Sequence, residues 1–215
     1  MKLYSAELSP FACRARLAIY AKGLDIAIVS PPEGGLKGEA YLAINPIGKI
    51  PALVLDDGTV IPESDTIVEY LEDAFPEKPL RPATAEGKAR ARLIARVTEI
   101  YVGGPMGALF AQMNPQTRDA AVVEARLAEL EKGLEWLNLF LEADGPHAVG
   151  GAFSTADCEL IPMLFFVGLM ARTFQRPDLL SRHGKIAAYH AAISATDLGR
   201  RANEEMARGL AARAG

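Results

Sequence analysis

The 215-residue chain holds only two cysteines, Cys13 and Cys158, and three histidines, His147, His183 and His190, none of them at metal-ligand spacing. That scarcity excludes a disulfide framework and a zinc site, and it suits a reducing compartment. No apolar run reaches the length of a bilayer: the most apolar stretch, residues 160–171, is too short and contains Pro162. No membrane attachment is therefore expected. Positive charge is not in excess either. With 23 Lys and Arg against 27 Asp and Glu the net charge is -4, and without a basic run there is no electrostatic footprint for nucleic acid. The first residues pass straight into strand-like Lys2, Leu3 and Tyr4 with no signal-peptide apolar core, so a cytoplasmic location is expected. The remainder, 50% hydrophobic and 23% charged, is the composition of a globule that buries its core as one large or two small domains.

What the chain does have is dense structural punctuation at residues 45–64, NPIGKIPALVLDDGTVIPES. Asn45-Pro46 ends a helix, Ile50-Pro51 precedes a short apolar run, Asp57-Gly58 marks a hairpin turn, and Glu63-Ser64 opens a helix. Pro51 stands where it would remove a donor from the strand it introduces, so a specialised backbone is expected there, a cis bond after Ile50. Such a bond turns the Ile50 backbone towards whatever lies beside the sheet, where it can pair with an extended peptide. The free N–H groups and the hydroxyl at Glu63-Ser64 suit a carboxylate.

Ahead of this stretch, residues 2–4 read as a first strand and Ser9-Pro10 as a helix start, with Ser at the cap and Pro at the first helical position. Cys13, Leu17, Tyr20 and Leu24 recur on one helical face, Gly23 ends the helix, and residues 26–29 form a second strand. A loop with Pro31-Pro32 and Gly34-Gly35 leads to a short helix at about 37–43, and a third helix is expected at about 65–74. The order βαβ, α, ββ, α implies a mixed four-stranded sheet with helices on its faces. Cys13 on the apolar face reads as buried packing, with an exposed reactive thiol as its rival reading.

Pro76, Pro79 and Pro82 then mark a linker, after which the helical period dominates. A helix over about 86–113 carries Gly103-Gly104-Pro105, which predicts a kink or break. Val123, Leu127, Leu130, Leu134, Leu137 and Leu141 make the clearest stripe in the chain, the inward face of a bundle helix. Ser154 and Asp157 have the spacing of a capping box, which predicts a buried helix over 155–171. Shorter helices at about 177–181, 184–194 and 197–212 complete the chain.

In their order and spacing, KIPAL followed by ESDTIVEYLED, and the opening LYSAELSPFACRARLAI, resemble the cytosolic glutathione S-transferases, serine-type theta and zeta classes in particular. The resemblance covers essentially the whole chain, more loosely in the helical half. It implies an α/β thioredoxin-like N-terminal domain at 1–76, a linker at 77–85 and an all-α helical-bundle C-terminal domain at 86–215. Glutathione would be the cosubstrate, with no metal. Ser9, besides capping its helix, would donate a hydrogen bond to the glutathione thiolate. Ile50 and Pro51 would hold the tripeptide backbone, Glu63 its ammonium group and Ser64 its γ-glutamyl carboxylate. Lys49, with Lys37 as a second candidate, would neutralise the glycine carboxylate. Ser64 as a plain helix cap, and Tyr4 as the hydroxyl that meets the thiol, stay open beside these roles. A pocket between the domains for a small hydrophobic electrophile would draw on Phe11, Tyr101, Met106, Phe110 and Met113, and the resemblance implies a homodimer.

Two departures narrow the chemistry. Ser9 and Ala12 occupy the positions of a would-be CxxC, which removes dithiol exchange at that spot. Phe11 replaces the cysteine of the zeta-class signature, which weakens a maleylacetoacetate-type isomerase as the alternative to a transferase. In another class stands a non-catalytic interaction protein using the same fold, against which the retained Ser9, Lys49, Glu63 and Ser64 speak.

Overall fold

Short strands suffice where both neighbours are apolar. β1 (Lys2–Tyr4) runs parallel to β2 (Ala27–Val29) and antiparallel to β3 (Ala52–Val54), and β3 pairs antiparallel with β4 (Val60–Pro62). The order is β2-β1-β3-β4, the expected mixed sheet. Its centre is Leu3, Ala52 and Leu53, all fully buried. The turn from β3 to β4 is set by Gly58, at φ +88°, and by Asp57, whose carboxylate accepts the Thr59 N–H at 2.8 Å. The computed structural model describes residues 1–142 and 145–214.

α1 (Pro10–Lys22) crosses from β1 to β2 and ends at Gly23, whose left-handed φ of 68° lets its N–H reach the Ile19 and Tyr20 carbonyls. The expected helix at 37–43 is a 3-10 turn, Gly35–Lys37, followed by the single turn of α2 (Glu39–Leu42). Gly38 accounts for the division, because a Cβ there would stand 2.9 Å from the Gly34 carbonyl carbon. α3 (Ser64–Ala74) begins one residue earlier than its hydrophobic period suggests and buries Ile67, Val68 and Leu71.

Contacts group Met1–Leu80 with Arg200–Gly215, and Arg81–Gly199 separately. The sequence boundary at 86 places the last helix, α9 (Asp197–Ala214), wholly in the helical half, whereas most of it groups with the first unit, against α1 and the loop before it. Gly209 permits this approach: a Cβ there would be 2.6 Å from the Leu8 nitrogen.

In the second unit, α4 (Ala85–Val97) does not break at the glycine pair. It continues through one π-helical segment, Thr98–Gly103, into α5 (Gly104–Ala111), with right-handed helical angles throughout. Pro105 offers no N–H to the carbonyl four residues back, that of Tyr101, and the widened turn accommodates the loss. That carbonyl meets α6 (Ala120–Phe140) at Gly133, where a Cβ would lie 2.1 Å from it. All six residues of the α6 stripe are buried. α7 (Thr155–Thr173) starts at the expected capping box: the fully buried Asp157 accepts the Ser154 N–H and Oγ, each at 2.8 Å. Its other oxygen accepts the Ala148 N–H and the Tyr189 hydroxyl of α8 (Gly184–Ala195), each at 2.9 Å. None of the described helices is long and apolar enough to cross a membrane.

Candidate active site

The strand registers bring three loops to one end of the sheet. Tyr4 pairs with Ala52 and Ala52 with Pro62, so the chain leaving β1, entering β3 and leaving β4 meets there. These are the segments carrying Ser9, Ile50-Pro51 and Glu63-Ser64.

Ser9 caps α1, its Oγ accepting the Ala12 N–H at 3.2 Å. A hydroxyl that accepts one bond keeps its own proton to donate, so the cap role and a thiolate-facing role are compatible in one geometry. The preceding loop is gripped by Arg16, only 2% exposed. Its Nη1 donates to Ser5 Oγ at 2.6 Å and to the Ala6 carbonyl at 3.0 Å, and its Nη2 to the Glu7 carbonyl at 3.0 Å. Arg16 is passed over when the sequence is read for motifs. Its signal is position: an arginine three residues after Cys13 and four before Tyr20 stands on a core face, where a charge demands buried partners.

The Ile50-Pro51 bond is cis, as expected. The Tyr41 hydroxyl and Asn45 Nδ2 donate to the Lys49 carbonyl at 2.7 and 2.8 Å, which fixes the loop just before Ile50. Neither the N–H nor the C=O of Ile50 has a partner among the described residues. Lys49 and Lys37 are both exposed. The Lys37 ammonium lies 2.9 Å from where a Cβ on Gly48 would stand, which sets it beside the same loop.

At the third segment the reading of Ser64 as a cap is corrected. The cap is Glu63, at φ 67° and ψ 123° and without a side-chain capping bond, while Ser64 is the first helical residue and 5% exposed. Few non-glycine residues adopt that φ, and such a strained residue concentrates where a ligand is held. The first helical bond of α3 runs from the Ile67 N–H to the Glu63 carbonyl, so the N–H groups of Ser64, Asp65 and Thr66 have no backbone partner among the described residues. Three such donors at the positive end of an 11-residue helix have the chemistry to accept an anion.

The rival nucleophile is silent. Cys13 is fully buried, and that burial pushes its thiol up to about 12, only partly offset by the nearby Arg16 guanidinium. Tyr4 is 7% exposed with its ring edge-on to Tyr41 at 5.6 Å. The residues expected to line an electrophile pocket come from separate elements of the two units. Phe11 belongs to α1 rather than to the loop beside Ser9, and is 43% exposed. Tyr101 lines a cavity of about 400 Å³ with Ile100, Pro105 and Trp136, its ring 4.9 Å from the Trp136 ring. Phe110 packs edge-on against Phe166 at 5.2 Å. Met106, at 2% exposure, is packed in the core of the second unit on the side of α5 that also buries Leu109. Met113 lies beyond the end of α5. No group of three or more His, Cys, Asp or Glu among the described residues could hold a metal.

Comparison with known proteins agrees with this fold. Residues 3–79 match the family profile described as "Glutathione S-transferase, N-terminal domain", and residues 120–192 match "Glutathione S-transferase, C-terminal domain". Glutathione S-transferase Z2 of Arabidopsis thaliana is 33% identical over 177 residues, 76% of this chain and 75% of that protein. The maleylacetoacetate isomerase of Pseudomonas aeruginosa is 38% identical over 99 residues, which span 44% of this chain and 47% of that protein. Two other curated relatives are matched over only 33% and 40% of their length, so the chain spans a third to a half of these three. A crystal structure of a glutathione S-transferase from Methylobacillus flagellatus with glutathione bound superposes with TM-score 0.78 at 27% identity, covering 94% of this chain and 98% of that one. With both halves of the chain matched, and an Arabidopsis relative aligned over three quarters of each protein, the chain belongs to the glutathione S-transferase family.

Proposed function

We propose that this protein is a glutathione transferase in which Ser9 stabilises the thiolate of glutathione for attack on a small hydrophobic electrophile. The observation that carries the reading is the meeting, at one sheet end, of a serine-capped helix, an unpaired backbone at Ile50 and the unpaired N–H groups opening α3. The γ-glutamyl carboxylate takes the N–H groups and hydroxyl at Ser64, and Glu63 pairs with the neighbouring ammonium. The cysteinyl unit pairs its backbone with Ile50, beside Pro51, and the glycine carboxylate lies near Lys49 and Lys37. So placed, the thiol meets the Ser9 hydroxyl and the positive start of α1, both of which favour thiolate over thiol. The sulfur then forms its bond to the electrophilic carbon as the leaving group departs with the bonding pair, and the thiol proton passes to water. The enzyme contributes ionisation and proximity. Phe11, two residues beyond Ser9 and 43% exposed, is the aromatic surface nearest in sequence for an apolar electrophile.

Isomerase chemistry is the second reading, favoured by the similarity to a maleylacetoacetate isomerase. There the thiolate adds to an activated double bond and is expelled after rotation, so glutathione is regenerated. A cytoplasmic site of action suits two buried cysteines that are not joined in a disulfide. A homodimer suits the exposed Leu93, Ile100, Trp136 and Leu139 of the second unit, the last at 68% exposure, and Tyr101 is assigned to that face because its ring shares the Trp136 cavity.

The test is conjugation of glutathione to a generic aryl halide together with retention on immobilised glutathione. Ser9→Ala should keep retention and lose about 10–100-fold in conjugation, the scale of one hydrogen bond to developing charge. Retention with activity untouched would move the role away from Ser9, and no retention by the wild type would favour a non-catalytic interaction protein.

A further inference from the structure

The middle of α9 is tied to the Ser9 loop through one buried pair. Arg16 donates from Nε to Glu205 Oε2 at 2.8 Å, and its two remaining nitrogens hold the carbonyls of Ala6 and Glu7 and the Ser5 hydroxyl. The Ala6 carbonyl accepts the Ser9 N–H at 3.1 Å as well. A continuous chain of polar contacts therefore runs Glu205, Arg16, Ala6, Ser9; its charged pair is buried, Arg16 2% and Glu205 8% exposed, while Ala6 is exposed and Ser9 half-buried.

Glu205 is itself held. Its Oε1 accepts the Tyr20 hydroxyl at 3.0 Å and Arg201 Nε at 3.2 Å, and the Arg201 guanidinium stacks on the Tyr20 ring at 3.4 Å. The same helix reaches the loop twice more. Arg208 pairs with Glu7 at 2.8 Å, and Gly209 lies so close that a Cβ would stand 2.6 Å from the Leu8 nitrogen and 3.1 Å from the Glu7 Cβ. Residues 5–8 are thus held by Arg16 on one side and α9 on the other, with Ala6 and Glu7 still exposed to solvent. A buried arginine that makes two of its four hydrogen bonds to loop carbonyls and a third to a loop hydroxyl fixes a backbone path, because carbonyl geometry constrains it and an ion pair alone would not.

From this we infer that Glu205 and Gly209 of the C-terminal helix are positioning residues for Ser9: through Arg16 and the 5–8 loop they set the hydroxyl that meets the glutathione thiol. The inference rests on the proposed role of Ser9. Neither residue touches the tripeptide, whose carboxylate and backbone contacts lie on α3 and the β3 loop. Loosening the clamp consequently moves thiol ionisation and not tripeptide affinity, whereas a merely structural role would move both or neither.

Three variants test it: Glu205→Gln, which keeps shape and loses the charge that orients Arg16; Gly209→Ala, which pushes on Leu8; and Glu204→Gln, an exposed neighbour on α9, as control. Thiolate absorbance of enzyme-bound glutathione is titrated with pH, glutathione affinity is measured alongside, and deuterium uptake over residues 5–13 is followed in the ligand-free proteins. Glu205→Gln and Gly209→Ala should raise the pH of half-ionisation by about 0.5–1 unit and lower kcat about 3–10-fold, with glutathione affinity changed less than about twofold. They should also increase uptake over residues 5–13 while residues 52–62 stay as protected as in the control. Unchanged ionisation in both variants, or ionisation and affinity lost together, overturns the inference. A wild type that binds glutathione without lowering its thiol pKa overturns the reading of Ser9 instead, and the deuterium result then still decides whether α9 holds the loop.

Discussion

Cys13 lies one helical turn from Ser9, on the apolar side of α1, and the two residues divide between them the roles that a thiol-handling site could assign. Ser9 is half-buried at the helix start, while Cys13 is fully enclosed with Leu17 and Ala18 in the core. Its thiol ionises normally at 9.0 but in the fold only at about 12, chiefly because burial penalises the thiolate, with Glu205 adding to the rise and Arg16 opposing it. Below the ordinary value both folded and unfolded chains keep the proton and the contribution to stability is complete. Above it the unfolded chain alone releases the proton, so stability falls progressively as pH rises towards the folded value. Between about pH 8 and pH 10.5 this should remove roughly 2 kcal/mol from the wild type. Urea unfolding of Cys13→Ala over the same range should show a correspondingly shallower loss; an equal loss in both proteins would mean that the thiol is not buried as described. Tyr20, raised to about 12 by burial and Glu205, contributes in the same direction in both proteins and cancels in the comparison. The burial of Cys13 is legible in the sequence from the spacing of Leu17 and Tyr20. The clamp on Arg16 is not, because Glu205 is 189 residues away and no local pattern names it.

At the scale of elements, the start of α7 depends on one carboxylate serving four donors. Asp157→Ala would leave the N–H groups of Ala148 and Ser154 and the Tyr189 hydroxyl without their acceptor in a fully buried place. The expected loss is about 3 kcal/mol, read as a shift in the urea midpoint at constant slope. A loss under about 0.5 kcal/mol would place the variant among ordinary surface changes and contradict the description. This element is the most legible of the second half, since Ser154 and Asp157 state their own pairing by spacing, and the α6 stripe states its buried face in the same way. The run from α4 to α5 is less legible. Gly103, Gly104 and Pro105 signal an irregularity, yet whether it becomes a break or a π segment is decided by Gly133, on another helix, which admits the Tyr101 carbonyl. Likewise Glu63-Ser64 announces a helix start, but which of the two residues takes the cap depends on the left-handed turn after β4, and that turn is set by sheet register.

Over the whole molecule, the sheet order follows from the turns and crossover, and the active-site loops meet because Tyr4, Ala52 and Pro62 share one register line. The apolar side chains left exposed on the second unit belong to this scale. Leu93 and Ile100 are seven residues apart on one helical run, and Trp136 and Leu139 lie three apart on α6, which gives a strip facing away from the bundle core. If a second copy covers that strip, Trp136→Glu should turn a dimer into a monomer by sedimentation velocity without changing the far-ultraviolet helix signal, since a charge is costly in a dry interface. A wild type already monomeric at assay concentration would remove the dimer from the account. What the sequence leaves unread at this scale is the allegiance of α9: its amphipathic period is plain, but the partner of its buried face is fixed by Gly209 meeting the opening loop and Glu205 meeting Arg16 of α1, contacts that cross nearly the whole length of the chain. The most direct measurement of the central claim is a crystal structure with glutathione bound. The account predicts the γ-glutamyl carboxylate on the N–H groups that open α3, main-chain pairing to Ile50, and the sulfur within hydrogen-bond reach of Ser9 Oγ. A tripeptide bound elsewhere, or one whose sulfur points away from Ser9, would contradict it.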